Sequence, residues 1–430
     1  MSLTVYKNAN ILDGTRDMTL QENKVILVNG DKIAGIYDSH GIPKNAKVID
    51  LEGGYVLPGL INLHCHLPGS GKPMPIKQPA SGSSNVGKSR LTRKIIHFIL
   101  KKMCYSNAKT ELLSGVTTIR TVGGVGTWDS QIRNAINSGK KVGPHILAAD
   151  EAISVPGGHM AGLMAYAATS ADEAVAYVDE IAKAKPDLIK IMITGGVLDA
   201  DDTGAPAPMK MSEEQIEAIC NRAHSLGFYV AAHAESPEGV KAALRHGVDT
   251  VEHGAELDEE LIHLFRINRA KLVCTISPAL PMKLLDASLM PDERYKTNGT
   301  IVCDGIISAA KTALENNITV GLGNDVGCPY VTHYDFWREL VYFNKFVGVS
   351  PAETLHTATQ VNAQIAGIDK LTGTIEVGKL ADMIVVKENP LEHLETLRNV
   401  SMVIKSGKII HGKIKKMKEI DDLLDGMKLV

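Results

Sequence analysis

Through the middle of the chain, short apolar runs rich in β-branched residues alternate with longer stretches whose apolar positions recur every three or four residues. Eight runs read as strands: Gly59–His66, Val116–Thr121, His145–Asp150, Leu188–Thr194, Tyr229–His233, Thr250–His253, Leu272–Ser277 and Thr319–Asp325. The stretches between them open with helix-start chemistry. Ser170-x-x-Glu173 precedes apolar Ala174, Val175, Val178 and Ile181; Ser212-x-x-Gln215 opens another; Ser350-Pro351-x-Glu353 puts proline in the first helical position. Gly227 and Gly367 are natural stops. The alternation predicts an α/β fold, a (β/α)8 TIM barrel over residues 59–367, with its chemistry at the C-terminal strand ends.

The two ends of the chain have a different texture. Lys24–Val28, Lys32–Tyr37 and Ala46–Leu51 near the start, and Gly373–Val377, Met383–Val386, Ser401–Lys405 and Lys408–Ile410 near the end, are short strand candidates separated by glycine turns. They predict one small β-sandwich domain built from residues 1–58 and 368–430. The tail from Lys413 to Val430 reads as a short surface helix. Pro68–Lys102 is an insertion after the first barrel strand, with eight Lys or Arg and no acid. It can be a solvated loop and helix face, a lid over the barrel mouth, or an interface in a homo-oligomer.

Composition narrows the classes of function. With 44% apolar and 22% charged residues the chain is globular, and a formal charge of −3 gives no basic field for nucleic acid. Aromatic residues are 4% of the chain, too few for a base-stacking groove. No apolar run approaches the roughly 18 residues that span a bilayer, and the first residues do not read as a secretion signal. Six dispersed cysteines without a CxxC pair read as reduced thiols, so a cytoplasmic setting is expected.

The chemistry begins with Leu63-His64-Cys65-His66. Residues two apart on a strand face one side, so His64 and His66 point together and can share a metal. His233, His253 and Asp325 end the fifth, sixth and eighth strands, each a good ligand type on the rim where a barrel places its site. Lys190 interrupts the apolar strand Leu188–Ile193. It is either ion-paired or outward-facing, or it is carbamylated by carbon dioxide into an anionic bridge between metals. Tyr229 lies four before His233 and shares its face, so its phenol either polarises a substrate carbonyl or caps the barrel bottom. Gly123-Gly124-x-Gly126 lacks dinucleotide-site spacing, and no serine shows triad partners.

Taken together, these residues resemble the amidohydrolase superfamily: His-x-His on strand one, Lys on strand four, His on strands five and six, Asp on strand eight. Asn8–Gly14, Val56–His64 and Gly373–Asp382 look like its β-sandwich borders. Gly157-Gly158-His159, Ile189-Lys190-Ile191-Met192-x-x-Gly195-Gly196 and Ala232-His233-Ala234 are most similar to its imidazolonepropionase-like, prolidase-type metallopeptidases. The resemblance implies two divalent ions, zinc foremost, bridged by carbamylated Lys190 and a hydroxide. His64, His66 and Asp325 would hold one ion, His233 and His253 the other, and Asp325 would move the proton. It also implies a small-molecule or dipeptide substrate cut at an amide beside a free carboxylate, which His159 would bind. In similar enzymes a tyrosine often follows the fifth-strand histidine by two; here Glu235 stands there, and an acid favours a cationic substrate side chain. Other readings are hydrolysis of a cyclic amide, carbamate or lactone, and a mononuclear imidazolonepropionase or deaminase, which would not need Lys190. A non-enzymatic scaffold fits poorly with all six positions kept.

Overall fold

The computed structural model describes residues 3–38, 45–73 and 90–429. Its centre is a parallel barrel whose strands follow the predicted runs closely. Leu60–Cys65 pairs with Val116–Thr121, which pairs with His145–Leu147. Leu188–Met192, Tyr229–Ala234, Thr250–His253, Lys271–Cys274 and Val320–Leu322 continue the parallel order. The third strand is broken. After His145–Leu147 the chain passes through Asp150 in a left-handed conformation, and Ala152–Ser154 takes up the pairing with Leu188–Met192. The barrel closes where strand eight meets strand one: His66 N donates to Val326 O at 3.0 Å. That approach requires Gly323, since a Cβ there would lie 2.4 Å from His64 Cβ.

The helix starts follow the sequence chemistry. Ser170 and Ser350 each accept from the backbone N–H three residues on, and Ser212 with Gln215 forms a full capping box ahead of Glu213–Ser225. Gly227 and Gly367 turn left-handed after their helices.

The terminal strands form one continuous eight-stranded sheet, which curls around its own apolar core. The first long strand, Leu3–Ile11, lies inside it, between Gln21–Asn29 on one side and Lys47–Asp50 and Tyr55–Pro58 on the other. Tyr55–Pro58 pairs with Met383–Val386 from the far end of the chain. Period-two alternation splits these strands between two cores. Val56, Met383 and Val385 face the small core, while Leu57, Ile384 and Val386 join the barrel's. Gly373–Val377 is not a strand: Gly373 is left-handed and pressed against Ala363, and the chain there runs as a loop along the barrel.

Two other expectations are corrected. The tail helix, Lys418–Asp425, is docked, with Ile420 and Leu424 buried in the main core and Asp425 paired to Arg338 at 2.7 Å. The later half of the Pro68–Lys102 insertion belongs to Arg90–Leu113, the barrel's own first helix, whose buried Cys104, Ala108 and Leu112 pack on the core. Residues 74–89, the middle of the insertion read as a solvated loop, a lid or an interface, lie outside the described residues. Among the described residues, no helix is long and apolar enough to cross a membrane.

Candidate metal centre

Strand one delivers His64 and His66 to the C-terminal rim, both buried. Their second nitrogens are already committed. His64 Nδ1 lies 2.9 Å from the Glu252 carboxylate and His66 Nδ1 lies 2.9 Å from the Gly123 carbonyl. Both partners accept, so each ring donates through Nδ1 and, as a neutral ligand, would turn its Nε2 lone pair to the rim. Those lone pairs face Asp325 Oδ1 at 3.4 and 3.2 Å. Three acceptors converging with no proton among them repel one another, and a cation relieves that repulsion. His233 is tied in the same way: its Nε2 donates to Gly195 O at 3.0 Å, leaving Nδ1 as the lone pair. His253 Nδ1 is 2.7 Å from the Thr275 hydroxyl. Its ring lies 4.7 Å from those of His64 and His233.

Burial sets the protonation. Loss of water pushes the His64 imidazolium down to about 4 and those of His233 and His253 well below the usual range, so all three rings are neutral, as a metal ligand must be. Burial also brings Lys190 down to about 8. Its Nζ is buried and, among the described residues, has no hydrogen-bond partner. An unpartnered ammonium in a barrel interior is costly enough that the group must change charge or gain a neighbour.

Two sets of ligand atoms lie within 4.8 Å of one another among the described residues: His64, His253 and Asp325, and His233, Glu235 and His253. Lys190 joins them as a lining residue of the cavity above, about 340 Å³ in volume. Its walls are apolar, with Leu100, Leu163, Met160, Met164 and Met192 among them. A smaller recess of about 40 Å³ adjoins it, bordered by His159, His233, Glu235, Asp325 and Cys328. His159 stacks on His233 at 4.2 Å with its ring nearly parallel, and its Nδ1 is held by Asp199 at 3.0 Å. Cys328 Sγ donates to Asp325 Oδ2 at 3.2 Å.

Tyr229 is not brought to the site. It opens the fifth strand at the opposite end of the barrel, 59% exposed, so four residues of extended chain separate it from His233. A role in polarising a carbonyl is withdrawn for it.

Sequence reasoning also missed a buried layer beneath the centre. Arg120 donates to Glu252 at 2.7 Å and to the Leu63 carbonyl at 2.7 Å, and Thr250 donates to the same carboxylate at 2.6 Å. Burial would raise Glu252, yet Arg120 and His64 hold it well below the usual carboxylate range. The signal was there: Arg120 is the lone charge in its strand, as Lys190 is in its own.

A parallel barrel that gathers four imidazoles, a carboxylate and a buried lysine at one rim is a barrel protein with a candidate metal centre. The chain belongs to the amidohydrolase family, whose profile matches residues 55–410. It is 37% identical to a provisionally assigned prolidase from Bifidobacterium longum, with a TM-score of 0.86 over 99% of this chain and 98% of that one. It is 31% identical to a Xaa-Pro dipeptidase with methionine bound in its active site, with a TM-score of 0.82 over 96% of this chain and 100% of that one. Ochratoxinase from Aspergillus niger is 27% identical over 332 residues; the match covers 70% of this chain and spans only 66% of that protein's length.

Proposed function

We propose that the protein is a metal-dependent hydrolase of amide bonds, cleaving dipeptides or N-acyl amino acids beside a free carboxylate. The observation that carries this reading is the set of bare lone pairs aimed at one point, with the unpartnered Lys190 amine in the same cavity. His64, His66 and Asp325 would hold one divalent ion, and His233 and His253 a second. As the neutral amine, Lys190 would add carbon dioxide and release one proton to solvent, and the resulting carbamate would offer carboxylate-like oxygens to the ions. Imidazole and carboxylate donors suit zinc. Bound there, the ions supply Lewis acidity and bring the pKa of a coordinated water towards ~7.

The chain's own groups do the rest. Asp325 stands between His64 and His66 and is placed to accept the water's proton and return it to the leaving nitrogen. Asp199 holds His159 through Nδ1, and His159 borders the recess where the substrate carboxylate would lie. Glu252 and Arg120 fix the tautomer and angle of His64. The prolidase and dipeptidase names of similar structures support the same substrate class.

The test is amine release from Xaa-Pro, Xaa-Arg, Xaa-hydrophobic and N-acetyl amino acids by protein loaded with zinc in bicarbonate, together with a metal count. Two ions per chain and cleavage of one cluster are expected. Silence across the panel with two ions bound would discard the peptide substrate. Lys190→Ala is expected to lose most of the metal and the turnover; full occupancy with normal rates would remove the bridging role.

A further inference from the structure

Glu235 is a carboxylate without an evident structural task. It leaves the fifth strand two residues after His233, and its backbone N–H is pinned to Thr194 Oγ1 at 3.2 Å. Its carboxylate lies within 4.8 Å of the ligand atoms of His233 and His253. Among the described residues, Oε2 is buried and has no hydrogen-bond partner. It borders the small recess with His159 and Asp325, and not the wide apolar cavity. The fixed charges that act on it are Asp325, Asp199 and Lys190. Once Lys190 carries a carbamate, all three are anions. A buried carboxyl among anions either keeps its proton or meets a cation that reaches it through the recess.

Reach decides which cation. The scissile carbonyl must sit at the imidazoles for the hydrolytic reading above to work, and this inference rests on that reading. In a free dipeptide one carbon separates that carbonyl from the α-ammonium. A carboxylate this close to the ligand nitrogens suits that short spacing. The charge of a lysine or arginine side chain lies several bonds further out and would overshoot. We propose that Glu235 receives the α-ammonium of the substrate, so that the site takes free dipeptides in preference to N-acyl amino acids.

Glycyl and acetyl derivatives of one amino acid make a matched pair, since they differ only by an ammonium in place of a hydrogen. Their kcat/KM ratio is measured for the metal-loaded wild type, Glu235→Gln and Glu235→Asp, with metal content determined for each. A charge-assisted hydrogen bond corresponds to roughly ten- to a hundredfold in favour of the glycyl compound. That ratio is expected to collapse towards one in Glu235→Gln and to return in part in Glu235→Asp. Calorimetric binding of the aminomethylphosphonyl and methylphosphonyl derivatives of the same amino acid reads the preference without turnover. A ratio unchanged in Glu235→Gln, or loss of metal from that variant, would overturn the proposal, the latter making Glu235 a ligand. Amide cleavage with no glycyl preference would also overturn it, while leaving the hydrolase reading intact. A binding preference that depends on Glu235 in a protein that cleaves neither amide would uphold it and remove the hydrolase reading.

Discussion

His253 and Asp325 both have left-handed backbones, with φ of 70° and 52°. Non-glycine residues seldom adopt this conformation, and here it has a clear result. Neighbours on a strand should face opposite sides, yet Glu252 and His253 both reach His64, one by hydrogen bond and one by ring contact. The strand-end positions of the ligands were readable from sequence. This twist was not, because period two says nothing about where a strand leaves its own geometry. The same limit hid the Arg120–Glu252 pair, which long-range closure brings together across 132 residues. Arg120→Met should strand Glu252 as an uncompensated buried charge and lower stability by about 3–5 kcal/mol in urea unfolding. A loss below about 1 kcal/mol would mean the pair is not sealed from water. Asp129 offers a test by pH. Burial, and then Asp150, push it up from 3.8 to about 7 against the lowering effect of Thr121. Below pH 4 both folded and unfolded chains keep this proton. Between 4 and 7 only the fold keeps it, so stability falls as pH rises through that window. Asp129→Asn should therefore gain stability on the order of a few kcal/mol at pH 8 and almost none at pH 4. An equal gain at both would assign the effect to packing.

Helix starts were the most legible elements, because a cap is a local contact: the Ser170, Ser212 and Ser350 caps all form where their spacing placed them. Elements that depend on distant partners read less well. Leu3–Ile11 and Tyr55–Pro58 carry weak local signals and are strands because of what pairs beside them. Gly373–Val377 has strand composition, but Gly373 is left-handed and Ile375 N bonds to Asp13 O in a loop. The tail helix looked superficial because its charges outnumber its apolar residues. Arg338, stacked 4.5 Å over Trp337 and paired with Asp425, supplies the anchor that makes it part of the core. Leu424→Ala should lower unfolding free energy by about 2–4 kcal/mol, as a buried leucine does. A neutral result in thermal and urea unfolding would mean the helix detaches in solution.

At the scale of the molecule, the barrel holds its candidate ligands ready, with neutral rings already tied through their second nitrogens. A site whose lone pairs crowd one another in the folded state binds cations far better there than in the unfolded chain. Chelation is thus expected to lower Tm by several degrees and zinc in bicarbonate to restore it, followed by calorimetry. A Tm indifferent to both would argue that the lone pairs are not aimed at a metal.

The pairing of Tyr55–Pro58 with Met383–Val386 also has a consequence in time. A ribosome adds roughly 5–20 residues per second. More than three hundred residues separate the two strands, so the apolar edge at Val56 and Leu57 waits on the order of tens of seconds for its partner. During synthesis the nascent chain carries an open sheet edge throughout the period in which the barrel emerges, and that interval is when the protein is most exposed to capture by chaperones or by a neighbouring copy.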